Sequence, residues 1–127
     1  MRNATLIRTN GKVEPVKIDQ YTDIQDAIGG MFGILPIGPR DVDNMTVFID
    51  DEGLVKELPI NMTASLWLMR LDLWPGLSQP IHGDVLIMGG TSEDGETMSV
   101  TEDIVASIPI FWREPHFEII TGPDALG

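Results

Sequence analysis

Gln79 to Gly90, QPIHGDVLIMGG, constrains this chain more than any other stretch. Val85-Leu86-Ile87-Met88 is an unbroken apolar run, with Gly83 before it and Gly89-Gly90 after it. A run this short and without a polar side reads as a strand covered on both faces. The spacing therefore predicts a central strand, with the rest of the chain packed around it.

The flanking segments supply the partners. Thr5 to Asp19 predicts a hairpin with Leu6, Ile7, Val13, Val16 and Ile18 as apolar positions. Asn10-Gly11 predicts a two-residue type I′ turn, and Pro15 places its strand at an edge. Thr22 to Gln25 has the spacing of a capping box, so a helix is expected over Asp23 to Ile28, stopped by Gly29. Met31 to Ile37 and Met45 to Asp50 predict two more strands, the second turning through Asp51-Glu52-Gly53. Asn61 is placed to cap a helix beginning at Met62, whereas Arg70 to Trp74 alternates and allows an extended end. Ser99 or Thr101 caps a last helix, with Ile104, Val105 and Ile108 inward and Pro109 limiting its length. The fold expected is α+β: a mainly antiparallel sheet of about five strands with two or three short helices. It is expected as a single domain over residues 1–114, followed by a C-terminal tail over 115–127 with little periodicity.

Charge narrows the function. The chain has 20 acidic and 8 basic residues, net −12. Residues 71–127 hold ten of the acids and one base, Arg113. Such a surface repels nucleic acid backbones and anionic membranes. It suits a basic partner protein, or an imitation of DNA. There are no cysteines, which excludes disulfides, thiolate metal sites and a cysteine nucleophile, and fits a cytoplasmic location. The N-terminus has no apolar signal-peptide core, and no run is long enough to span a membrane.

Chemistry is not announced. Gly29-Gly30 follows a helix instead of opening one, and lacks the Lys and Ser/Thr of a phosphate loop. Asp50-Asp51-Glu52 lacks the alternating ligands and distal Glu of a calcium loop. Ser78, His82 and Asp84 lie close in sequence, but no G-x-S-x-G elbow is present and Gly83 makes this a turn. The expectation is a protein that is not an enzyme and carries no cofactor or metal. Trp67, Met69, Leu71, Leu73 and Trp74, with Phe111 and Trp112 as a second aromatic site, crowd enough apolar surface together to predict an interface and a homodimer.

In order and spacing, these pieces resemble a phage- and plasmid-borne family of unknown function. The matching parts are the hairpin to Ile18, the helix ending in Gly29-Gly30 and the strand after it. They continue with the acidic turn at Gly53, Leu58-Pro59-Ile60-Asn61, and Ile81-His82-Gly83 leading into Val85 to Gly89. Family members are small proteins of mobile elements, sometimes beside or fused to antirestriction-type modules. The family pattern has Glu at position 33 and Arg at 62. This chain has Gly33 and Met62, a joint loss that suggests a structural ion pair with no catalytic part. The resemblance implies an accessory protein that binds and modulates a host protein, with counter-defence as one such role. One alternative is an acidic DNA mimic inhibiting a nucleic-acid-binding enzyme. Another is a sponge for a small nucleotide signal, which needs a positive pocket drawn from Arg8, Lys17, Arg40 and Lys56. A third is a small hydrolase.

Overall fold

The computed structural model describes residues 1–35, 45–75 and 78–109. Five strands form one sheet: β1 (Arg2–Ile7), β2 (Val13–Ile18), β3 (Phe32–Ile34), β4 (Thr46–Asp50) and β5 (Val85–Met88). Helices α1 (Tyr21–Ile28), α2 (Met62–Arg70) and α3 (Glu102–Ser107) complete the fold. The strand order is β2-β1-β5-β4-β3, and every pairing is antiparallel.

The apolar run lies in the middle of this order, and all four of its residues are fully buried. Successive side chains of a strand point to opposite faces. Leu86 and Met88 meet Ala4, Leu6, Ile18, Ile24 and Phe48 under α1. Val85 and Ile87 meet Ile7, Val47, Trp67 and Leu68 under α2. A polar residue anywhere in the run would face one core or the other, which is why the run has no polar side. Pro15 is on β2, an edge strand, where a missing N–H costs no ladder bond.

Four local expectations are corrected. The hairpin loop runs from Arg8 to Lys12, closed by Arg8 N to Lys12 O at 2.8 Å and Gly11 N to Arg8 O at 2.9 Å. A type I′ turn needs positive φ at both central residues, and here Gly11 alone has it (91°). The loop is thus a type I turn finished by a glycine bulge. Helix α1 starts at Tyr21, and Asp23 makes its reciprocal cap: the carboxylate accepts from Gln20 N (2.9 Å) and Asp19 N (2.8 Å). Gly29 stops it with φ 93°, as expected. Val105 is exposed, so α3 buries only Ile104 and, beyond its end, Ile108.

The fourth correction is the end of α2. Arg70 to Trp74 is not extended. Leu73 N donates to Leu68 O (2.9 Å) and Asp72 N to Met69 O (2.9 Å), the paired bonds of a Schellman turn. Asp72 takes the left-handed position, φ 64°, that glycine usually fills. The turn swings Leu73 back into the core beside Leu68. The alternation in the sequence is that turn.

Among the described residues no helix is long and apolar enough to cross a membrane. Trp67 is the largest fully buried side chain, and its indole N–H donates to Ser107 Oγ at 3.0 Å, tying α2 to α3. Trp67→Ala is expected to lower stability by about 3–5 kcal/mol in urea unfolding, the usual cost of such a core truncation. A change below about 1 kcal/mol would show that the two helices do not close over this residue.

Candidate functional site

One end of the sheet gathers the polar groups. Strands β1 and β4 finish there and β5 begins, so Arg8, Asp50 and Asp84 arrive together with the start of α2. Asn61 sits at the centre, fully buried. Its side-chain oxygen accepts from Ala64 N (3.0 Å), capping α2. Its amide nitrogen donates to Ile7 O (2.8 Å) and Gly83 O (3.0 Å), the ends of β1 and the approach to β5. Its own backbone N–H donates to Ile81 O at 2.7 Å.

Two ionic arrangements flank this clamp. Asp50 is almost wholly buried (side chain 1% exposed), with Oδ2 accepting from Lys56 Nζ at 2.8 Å and Oδ1 from Glu52 N at 2.8 Å. The Asp50 hydrogen bond raises the Lys56 pKa. The loop between them is pressed onto the next segment: a Cβ on Gly53 would lie 2.6 Å from His82 O. On the other side, Arg8 bridges Glu14 and Asp84, the latter at 3.2 Å, while Asp84 Oδ1 accepts from Thr9 N at 3.0 Å.

Two clefts open beside these groups. One, of about 360 Å³, lies between Gly29, the Lys56–Asp50 pair and Asp84. The other, of about 460 Å³, is mostly apolar, walled by Leu35, Ile49, Leu54, Trp74 and Ile81, with His82 at its side. The three residues of a possible hydrolytic relay do not join. Ser78 Oγ donates to Pro75 O, His82 Nδ1 lies 2.8 Å from Leu58 O, and Asp84 serves Arg8 and Thr9. The cations named for a nucleotide pocket are engaged elsewhere: Arg8 with Glu14 and Asp84, Lys56 with Asp50, and Lys17 with Asn3. Arg40 lies outside the described residues.

The apolar segment expected to form an interface divides. Trp67 (1% exposed) and Leu73 (5%) are core and unavailable to a partner. Met69 and Leu71 are exposed, and Trp74 is half-buried with its indole N–H on Gln79 O at 2.7 Å. Phe111 and Trp112 lie outside the described residues, as do residues 110–127 with the expected boundary at 114. Met62 is 44% exposed at the start of α2, so position 62 is no place for a buried ion pair. Gly33 is taken up instead by Asp51, whose Oδ1 would stand 2.7 Å from a Cβ there. Sequence reasoning missed the Asp50–Lys56 pair because five residues of turn separate the partners, and a turn full of carboxylates reads as solvated.

The profile of a protein family, a domain of unknown function (DUF3846), matches residues 1–111. The chain belongs to this family. No curated protein and no solved structure matches it.

Two carboxylates, Glu14 and Asp23, are held low for local reasons. Glu14 lies below its ordinary 4.5 because Arg8 donates to it. Asp23 lies below its ordinary 3.8 because Gln20 N and Asp19 N donate to it. A depressed carboxylate contributes stability that is complete above its unfolded value and is lost as pH falls through the folded one. NMR titration should therefore place both below those ordinary values, and Arg8→Ala should return Glu14 towards 4.5 while leaving Asp23 unmoved. A second outcome concerns the buried carboxylate. Lys56→Met strands the Asp50 charge and should destabilise more than Lys56→Met combined with Asp50→Asn, measured by urea unfolding. Equal losses would mean that the Asp50 charge, once unpaired, costs nothing more than the neutral amide in its place.

Proposed function

We propose that this chain is a non-catalytic accessory protein of a mobile element that binds a basic surface of a host protein and modulates it. One observation carries the reading. The three ion pairs among the described residues engage Glu14, Asp50 and Asp84. Glu93, Asp94, Glu96, Glu102 and Asp103 stand exposed on the second half without joining any of those pairs. An acid-rich surface of that kind steers oppositely charged partners and disfavours anionic ones. The separate anchoring of Ser78, His82 and Asp84 supports a binding role over a hydrolytic one, and the engaged cations count against a nucleotide sponge. The resemblance to mobile-element proteins supports the host as the source of the partner.

The test is affinity capture from host lysate with the wild type and with a triple variant, Glu93→Gln, Asp94→Asn and Glu96→Gln. A specific protein should be retained by the wild type and released as salt shortens the screening length to below about 8 Å. The triple variant should bind it at least about tenfold more weakly. Release of a captured nucleic-acid-binding enzyme by duplex DNA would identify the DNA-mimic form of the same function. A protein that captures nothing specific but turns over a substrate would contradict the proposal.

A further inference from the structure

Among the described residues, strand β3 is an edge of the sheet. Leu35 N donates to Val47 O (2.9 Å) and Asp51 N to Met31 O (3.0 Å), so residues 31, 33 and 35 face β4. By the alternation of an antiparallel ladder, the N–H and C=O groups of Phe32 and Ile34 point the other way. No described residue pairs with that side. Ile34 (62% exposed) and Met31 (64%), just before the strand, add apolar surface beside it, and the three residues of β3 include no Lys or Pro.

Charge selects the occupant. On the face of β3 where Gly33 has no side chain, the exposed Asp51 carboxylate fills the space, within 2.7 Å of where a Cβ would stand. A second copy pairing antiparallel about Gly33 would bring its own Asp51 against this one, on chains each carrying net −12. An added strand lies about 4.8 Å away, and its residue opposite Gly33 points its side chain towards Asp51. The residues on either side of it point to the opposite face, alongside Phe32 and Ile34.

The geometry points to β3 as a strand-addition site for an extended segment of a partner protein, with Lys or Arg opposite Gly33 and apolar residues flanking it. This deepens the binding function proposed above and rests on it. Backbone bonds to Phe32 and Ile34 supply affinity, and the alternation of basic and apolar side chains supplies specificity.

The test uses a blocked peptide alternating valine and lysine, and its N-methylated counterpart, titrated by fluorescence polarisation. Ile34→Pro removes an outward N–H and leaves the β3–β4 ladder whole, so folding should be kept, with melting temperature and amide spectra as checks. The unmodified peptide should bind the wild type, and bind Ile34→Pro at least about tenfold more weakly. Asp51→Lys, an exposed change, should weaken it too. Equal binding of the N-methylated peptide, or unchanged binding to Ile34→Pro, would overturn the proposal. So would a wild-type dimer in light scattering that Ile34→Pro dissociates, since the occupant would then be a second copy. If Ile34→Pro still captures the host partner while the acidic triple variant does not, the edge site fails and the binding function stands. If the wild type captures nothing, both fail.

Discussion

The fold depends on one buried amide. Asn61 has its side-chain donors and acceptor in use, reaching the end of β1, the approach to β5 and the first turn of α2. Each bond is made where water is absent, so each partner would be left unsatisfied without it. β1 and β5 are already neighbours in the sheet. What Asn61 adds is the position of α2 along them, and with it the seat of Trp67 over Val47 and Val85. The charged corner follows, because Ile81 to Asp84 is held at a fixed height above the Asp50–Leu58 loop.

The same corner shows where an acidic protein spends its few cations. Its buried or half-buried carboxylates, Asp50 and Asp84, are matched by cations from nearby loops. Those cations, though still partly exposed, are thereby engaged. The acids of the exposed turn at 91–97 and of the start of α3 join none of these pairs, although Arg2 donates to Thr97 O at the end of that turn. Stability uses two of the few bases, and under the proposed function the remaining acids would serve recognition.

The sheet was legible in the sequence because its centre is four apolar residues bracketed by glycines, and because Pro15 marked an edge. The α2 cap was legible at Asn61, though its two bonds to other strands were not: a capping residue looks the same whether its amide meets solvent or two carbonyls. Trp67 and Leu73 misled for a related reason. Apolar crowding says that surface must be covered, and not by which chain; here α3 and a Schellman turn cover them from within. That turn was hidden because Asp72 stands where glycine is the usual signal. The candidate edge at β3 was invisible, since a three-residue strand gives no sign of which neighbour it lacks.

The central claim, that Asn61 acts as a clamp and not merely as a helix cap, is tested most directly by comparing Asn61→Asp with Asn61→Ala in urea unfolding at neutral pH. Aspartate caps a helix as well as asparagine does. In this site, however, its second oxygen would face the carbonyls of Ile7 and Gly83 in place of the donor they require. The account predicts that Asn61→Asp is at least as damaging as Asn61→Ala, each by about 3 kcal/mol or more. Recovery of wild-type stability by aspartate would show that capping is all Asn61 does, and would contradict the account.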